Sequence, residues 1–282
     1  MNATISTRVI QVGLTLPSFH PDPELAISIA IAAEAQGIDG VFVYDHMFRL
    51  AADGQRRPAL ECFALLTAVA CATTTVHVGS LVARASLRPP SLLAQSFATI
   101  RALAGDRVIA AIGAGDHESK AENESFGVAF GDLASRIAEL SAAVDACLAV
   151  GVPVWVGGTH DRVLDIAARS GARAWNRWGG APEEVHGQAS EIRARTGSDR
   201  DVVATTWGGL VVLDETDTRA HDKARRLNAP TQAIVGGPEQ VADRLRDYVA
   251  VGVQWIVLAP VDASNPSNVE LVADIRERLV EA

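Results

Sequence analysis

Lysine is almost missing from this chain of 282 residues, in which Lys120 and Lys223 are the only two. Acidic residues outnumber basic ones by 34 to 25, and the formal net charge is -9 at pH 7. Nucleic acids and anionic membranes are recognised by clustered positive charge, so this composition argues against both as partners. We therefore expect a small-molecule substrate, with no nucleic acid and no membrane among the partners.

Cysteine and long apolar runs are also scarce. Cys62, Cys71 and Cys147 fall in predicted apolar helices without metal-binding or redox spacing, so we expect them to fill core positions in a reducing compartment. No apolar run approaches the roughly 20 residues that cross a bilayer, and residues 1–4 show no export signal. These absences predict a cytoplasmic protein.

What the chain does have is a repeated alternation of β-rich segments with helix-like stretches. This alternation predicts parallel strands joined by right-handed crossovers, in either a closed eight-stranded barrel or an open doubly wound sheet. Eight units favour the barrel, which takes about 250 residues, so we expect an α/β fold of the (β/α)8 TIM-barrel type with one domain over residues 1–282. The eight segments are 9–16, 40–45, 76–83, 107–112, 153–157, 172–178, 202–212 and 254–259.

Helices and long loops can be located between these segments. Asp22 and Pro23 form an N-cap and first-turn signal, and residues 132–150 carry apolar side chains at helical spacing. The linkers 46–57 and 113–131 exceed the usual 2 to about 6 residues of a strand-to-helix loop. We expect these two linkers to build the functional site.

The second strand ends on Asp45 and His46. In a parallel barrel, the carboxyl ends of the strands form the rim where catalytic residues collect. His46 is therefore a candidate proton donor, or a hydrogen-bonding group beside a bound ring, with Asp45 fixing its tautomer or the surrounding loop. The alternative is that the pair caps the strand by binding backbone groups.

The fourth strand opens into Gly113, Gly115 and Asp116, followed by His117 and Glu118. Two glycines let the backbone approach a flat ligand closely, and the carboxylates are acid-base candidates. The alternative is a tight turn, because a lone pair of glycines lacks the third glycine of a dinucleotide-binding motif.

Glycines also follow the fifth strand, where Gly157, Gly158 and Thr159 precede a helix. Free amides beside the positive end of a helix dipole are a natural site for an anion such as a phosphate. Thr159 or Asp161 could also serve simply as the N-cap of that helix.

The sixth strand ends in Trp175, Asn176, Arg177 and Trp178. The two tryptophans could wall a planar cofactor, while Asn176 and Arg177 bind its phosphate or tail. Buried packing is the alternative for both tryptophans. Three further tryptophans lie in apolar strands and are expected in the core: Trp155, Trp207 and Trp255.

Together these segments resemble the bacterial luciferase-like flavin or deazaflavin oxidoreductases over almost the whole chain. The matching motifs follow one another in the family's order: Tyr44-Asp45-His46, Gly79-Ser80-Leu81-Val82, Leu87-Arg88-Pro89-Pro90, Gly105-Asp106-Arg107, Gly113-Ala114-Gly115-Asp116, the segment 121–127, Trp175-Asn176-Arg177-Trp178-Gly179 and the segment 236–241. The chain departs from the family pattern at Ala172-Arg173-Ala174, and Asp116 is one methylene shorter than the glutamate of some relatives.

The resemblance implies a barrel that binds its cofactor at the strand carboxyl ends, often as a homodimer. The Asp-His pair and the acidic residue after Gly113-Ala114-Gly115 are similar to those of enzymes that use the deazaflavin coenzyme F420, which makes His46 and Asp116 the expected catalytic residues, with Asp116 as the partner carboxylate of His46. A non-proline cis peptide is expected at Leu81–Val82. The expected cofactor-binding residues are Asp45, Ser80, Leu81, Val82, Gly113, Gly115, Gly157, Gly158, Thr159, Asn176, Arg177 and Trp178.

Four hypotheses follow from these residues. The leading one is a coenzyme F420-dependent oxidoreductase that transfers a hydride between the deazaflavin and a small organic substrate. An FMN-dependent monooxygenase and a non-catalytic flavin-binding barrel are the alternatives. A metal hydrolase using His46, Asp116 and His117 lacks a paired ligand motif, so no metal is expected.

Overall fold

Eight parallel strands close into a barrel, which confirms the predicted fold. The computed structural model describes residues 10–50, 54–116, 119–197 and 203–281. The barrel strands are β1 (Gln11–Thr15), β2 (Gly40–Val43), β5 (His77–Ser80), β7 (Val108–Gly113), β8 (Val154–Gly157), β9 (Ala174–Trp178), β10 (Ala204–Leu213) and β12 (Val253–Pro260). They pair in that order, and β12 pairs with β1 to close the ring.

In the part of the chain that the structure describes, ten α-helices follow the strands. They are α1 (Pro23–Ala35), α2 (Cys62–Ala72), α3 (Pro90–Ala104), α4 (Ser119–Ser125), α5 (Leu133–Ala149), α6 (Asp161–Arg169), α7 (Pro182–Thr196), α8 (Asp217–Leu227), α9 (Pro238–Ala250) and α10 (Asn268–Val280). The predicted caps are present, since Asp22 accepts the Glu24 amide at 3.0 Å and Asp132 accepts the Ser135 amide at 2.8 Å. Within the described ranges, no helix is long and apolar enough to span a membrane.

The two long linkers contain structure that the sequence did not predict. The first linker, residues 46–57, contains β3 (Phe48–Leu50) and most of β4 (Arg56–Pro58), which pair as an antiparallel hairpin. The second, residues 113–131, contains the short helix α4. Two further short strands lie elsewhere: β6 (Ala83–Arg84) pairs with β7, and β11 (Ile234–Gly236) pairs with β10. Each of the two strands has only three residues and half of the six are arginines, so neither forms the longer β-rich run that predicts a strand.

The barrel interior is filled by large aromatic rings that face glycines on neighbouring strands. Phe42, Trp155 and Trp255 pack together with ring centroids 5.4 to 6.1 Å apart. A Cβ at Gly13 would stand 2.7 Å from the Phe42 ring, and one at Gly40 would stand 2.9 Å from Trp255. The glycines therefore make room for the rings, which plug the barrel below its carboxyl rim.

The remaining tryptophan and cysteine predictions are mostly confirmed. Trp207 is buried between barrel and helices, where its ring packs on Tyr248. Cys62 and Cys147 are buried, and burial raises the pKa of the Cys147 thiol to about 12. Cys71 is exposed on α2, so the prediction that it fills the core was wrong.

Candidate active site

A cavity of about 820 Å³ opens at the carboxyl ends of the strands. A volume of this size is within the range of small-molecule and cofactor pockets. The cavity is lined by most of the residues that the sequence singled out: His46, Leu81, Val82, Gly113, Gly115, Asp116, Gly157, Gly158, Thr159, Asn176 and Trp178. Asp45, Ser80 and Arg177 do not line it, while His117 and Glu118 lie outside the described residues.

His46 is held by a buried carboxylate. Its Nδ1 lies 2.7 Å from Glu122 Oε1, and the other carboxylate oxygen accepts the Met47 amide at 2.7 Å. Because the carboxylate accepts the Nδ1 proton, the opposite nitrogen Nε2 is the one available to a ligand in the cavity. Burial opposes ionisation of Glu122, but the hydrogen bonds from His46 and Met47 outweigh it, so the pKa of this carboxyl is lowered.

Glu122 is the functional residue that the sequence reasoning missed. Asp116 was expected to be the partner carboxylate of His46, and that expectation was wrong, because Glu122 occupies the position. Asp116 instead accepts hydrogen bonds from the amide and hydroxyl of Ser119, both at 3.0 Å, where α4 begins. The only signal for Glu122 was its place in the segment 121–127, which matched the family.

Asp45 supports the loop instead of facing the cavity. Its carboxylate accepts both terminal nitrogens of Arg88, at 2.7 and 3.0 Å, together with the Arg84 amide at 2.9 Å. The Arg84 guanidinium then donates to Glu122 Oε2 at 3.2 Å, so Arg84 joins the two carboxylates, through its backbone amide to Asp45 and through its side chain to Glu122. Asp45 thus fixes the end of β2 relative to the chain after β5, and it does not line the cavity.

The chain after β5 forms the backbone bulge that the resemblance implied. The peptide bond Leu81–Val82 is cis, as expected, and both residues line the cavity. Val82 fits between two glycines, since a Cβ at Gly113 or Gly157 would stand 2.6 or 2.7 Å from its methyl groups. These glycines therefore make room for Val82. Ser80 is buried below the bulge, where its hydroxyl donates to Ala111 O at 2.7 Å.

The loop before α6 offers amide donors to the cavity. Thr159 and His160 line it, and neither backbone N–H has a partner within the described ranges. The Gly158 amide is not free, because it donates to Asn176 O at 3.2 Å. The N-cap is His160, whose Nδ1 accepts the Arg162 amide at 3.2 Å, so the predicted caps Thr159 and Asp161 were both wrong.

Successive side chains of β9 point to opposite faces of the strand, so the four residues predicted to bind the cofactor divide between two faces. Asn176 and Trp178 line the cavity, whereas Trp175 is fully buried on the outer face and donates to Gly158 O at 2.8 Å. Arg177 also points outward, to Gly179 O and to Glu184 at 3.1 Å. The cavity is therefore lined by neither Trp175 nor Arg177.

Three aromatic residues that line the cavity, Phe19, Tyr44 and Trp178, pack against one another. The Tyr44 ring packs on Phe19 at 6.0 Å and on Trp178 at 6.2 Å, and Phe19 lies 5.7 Å from the His46 ring. Burial raises the pKa of Tyr44 to about 12, although the Thr15 hydroxyl and the charge of Arg49 act in the opposite direction. Tyr44 is therefore a neutral donor or acceptor at neutral pH.

Fold and site together define an α/β-barrel enzyme with a deep cavity at its carboxyl rim. The chain belongs to the luciferase-like monooxygenase family, whose model matches residues 5–152. Members of this family are oxidoreductases, which confirms the predicted enzyme class.

Two proteins of similar sequence match different shares of this chain. An uncharacterized protein of Mycobacterium tuberculosis is 29% identical over 250 residues, which cover 74% of this chain and 84% of that protein. A protein of Kineococcus radiotolerans named F420-dependent glucose-6-phosphate dehydrogenase is 38% identical over 125 residues, 43% of this chain and 35% of its own length.

Solved structures share the fold at low identity. An F420-dependent secondary alcohol dehydrogenase in complex with an F420-acetone adduct has a TM-score of 0.78 at 17% identity, covering 95% of this chain and 99% of that one. An EDTA monooxygenase from Chelativorans has a TM-score of 0.76 at 16% identity, covering 96% and 94%.

Proposed function

We propose that this protein is a coenzyme F420-dependent oxidoreductase that transfers a hydride between the deazaflavin and a small organic substrate. The observation that carries the proposal is the 2.7 Å hydrogen bond between Glu122 and His46, because His46 lines the cavity and keeps one imidazole nitrogen for the substrate. The name of the Kineococcus relative supports F420 as the cofactor.

The residues present fit a flavin or deazaflavin. A cavity of about 820 Å³ has the volume for a tricyclic ring, the Leu81–Val82 bulge gives one flat side, and Tyr44 and Trp178 give aromatic surface. The Thr159 and His160 amides at the start of α6 would hold a phosphate. When bound, a deazaflavin supplies a carbon that gives or accepts a hydride.

The chain's own part in the reaction is to place and move a proton. Glu122 fixes the Nδ1 proton of His46, so neutral His46 presents the lone pair of Nε2 and accepts a proton from a substrate hydroxyl during oxidation. In the reverse direction, protonated His46 returns that proton to the carbonyl oxygen. Asp116, which lines the cavity and binds Ser119 at the start of α4, remains a second catalytic candidate.

One alternative has specific support. An FMN-dependent monooxygenase activity is supported by the description of the family and by the similarity in fold to the EDTA monooxygenase. A homodimer remains a prediction from the resemblance.

The proposal is tested by turnover. The purified protein is mixed anaerobically with oxidised F420 and a panel of secondary alcohols and sugar phosphates, and loss of the deazaflavin's visible absorbance is followed. We expect anaerobic turnover that His46→Gln lowers by about 10² to 10⁴-fold, because a positioned acid-base group contributes that much. Turnover that requires both FMN and oxygen would favour the monooxygenase instead.

A further inference from the structure

Two arginines face each other across the hairpin that follows β2. In the antiparallel register of β3 and β4, Arg49 is the direct partner of Arg57, and both side chains line the cavity. Residues opposite each other in such a pair have Cβ atoms about 5 Å apart, and like charges there are destabilising. A folded hairpin with this pair therefore keeps an unfavourable repulsion at the mouth of the site.

No carboxylate of the described residues compensates the two charges. Neither guanidinium takes part in an ion pair within those ranges, and Arg49 rests on the Phe19 ring at 4.9 Å. The nearby carboxylates are already engaged, Glu122 by His46 and Asp45 by Arg88. Burial and the charge of Arg57 lower the pKa of Arg49, which agrees with an uncompensated pair.

The pair lies on the same side of the mouth as the proton-handling histidine. Phe19 connects them, since its ring is 5.7 Å from His46 and lies under the Arg49 guanidinium. The amides at the start of α6 follow β8, three strands further around the barrel than β2. The cavity therefore has two anion-attracting positions on different sides, and only the arginine position adjoins His46.

We propose that Arg49 and Arg57 bind an anionic group of the substrate, so that the enzyme acts on a small organic acid or phosphate ester whose reacting carbon lies beside His46. Guanidinium groups bind carboxylate and phosphate through paired hydrogen bonds, and such an anion relieves the repulsion across the hairpin. Although the chain has a net charge of -9, these two arginines concentrate positive charge at the mouth of the cavity, and this charge favours anionic substrates. The proposal rests on the proposed function, because it assigns the substrate of the same site.

The acidic tail of the deazaflavin carries the same chemistry and is the other possible source of the anion. The test therefore measures probe and cofactor binding separately. Benzoate and its neutral analogue benzamide are titrated by calorimetry into wild-type protein, with and without F420, at low ionic strength. The same titrations are made on the double variant Arg49→Gln/Arg57→Gln, on Arg49→Lys/Arg57→Lys, and on Arg226→Gln, an exposed arginine on α8.

We expect wild type and Arg226→Gln to bind benzoate at least about tenfold more tightly than benzamide, the ratio that about 1.4 kcal/mol of charge interaction gives. The glutamine variant should lose this preference, the lysine variant should keep part of it, and F420 affinity should stay within about twofold. Equal affinity of wild type for both probes would overturn the proposal. So would a tenfold or so loss of F420 affinity in the glutamine variant, which assigns the arginines to the cofactor tail. If the wild-type protein does not bind F420 but still binds benzoate more tightly than benzamide, only the proposed function is contradicted.

Discussion

Nδ1 of His46 and Oε1 of Glu122 lie 2.7 Å apart although 76 residues separate them in the chain. The contact joins the end of β2 to α4, and Arg84 holds the second Glu122 oxygen at 3.2 Å. A histidine whose Nδ1 donates to a carboxylate has one defined tautomer, and its Nε2 stays available to a ligand. The pair is therefore the structural basis for assigning acid-base chemistry to His46.

Replacing Glu122 should lower turnover without loosening the cofactor. In Glu122→Gln the amide accepts more weakly from Nδ1 and no longer stabilises the imidazolium, so we expect kcat to fall by about 10²-fold. KM and the F420 dissociation constant should change by less than about twofold. Glu124→Gln is the matched control, because Glu124 lies on the same helix, is exposed and pairs with Lys120 at 3.7 Å. Equal kcat values for the two variants would contradict the role of Glu122.

Removing the Asp45 charge should cost stability and leave cofactor binding intact. Asp45→Asn leaves the Arg88 guanidinium beside a neutral group in a buried network, and we expect the free energy of unfolding to fall by about 3 kcal/mol. Urea titration measures the loss, and Asp243→Asn, an exposed carboxylate paired within α9, should cost less than about 1 kcal/mol. If folded Asp45→Asn bound F420 more weakly than the wild type does, Asp45 would have to be assigned to the cofactor site.

Two glycine-to-alanine changes should have opposite effects. In Gly113→Ala the new Cβ stands 2.6 Å from a Val82 methyl group, so the bulge must shift. We expect a loss of about 1 to 3 kcal/mol and about tenfold weaker F420 binding. Gly187→Ala lies in the interior of α7 with no atom near its Cβ, and should stabilise the protein by about 0.5 to 1 kcal/mol. Chemical denaturation of both proteins gives the comparison, and destabilisation of equal size in both would refute it.

The Glu34 carboxylate should account for part of the loss of folding stability at low pH. Burial raises the pKa of this carboxyl, but hydrogen bonds from the Thr75, Val76 and Thr74 amides outweigh that effect and lower it from 4.5 to about 2. A lowered pKa gives stability that is present above the ordinary value and is lost as pH falls toward about 2.

Glu34→Gln should therefore be less stable than wild type at neutral pH, by about 1 kcal/mol for weakened hydrogen bonds at a mostly solvated site. The difference should shrink as urea titrations are repeated from about pH 6 down to about pH 3. Glu277→Gln, an exposed residue of α10, is the control. A wild-type advantage that stays constant over this range would rule out the carboxylate as its cause.

Much of the architecture could be predicted because strand periodicity and the order of elements are local signals. The barrel, the rim position of His46 and the cis bond at Leu81–Val82 were all expected and are present. The partner of His46 was not, because Glu122 comes from a seven-residue helix inside a long loop, and Asp116 stands nearer the strand end in sequence.

Strand alternation could have corrected one error. Asn176 and Trp178 share one face of β9, so Trp175 and Arg177 must face the helices. The hairpin of β3 and β4 had no such signal, because each strand has only three residues and half of the six are arginines. Its cross-strand arginine pair emerges only from the register.

The most direct test of the account is a titration of the wild-type protein with F420 and with FMN, followed by tryptophan fluorescence because Trp178 lines the cavity. We predict that F420 binds at least about tenfold more tightly than FMN. Tight binding of FMN with no measurable binding of F420 would contradict the account.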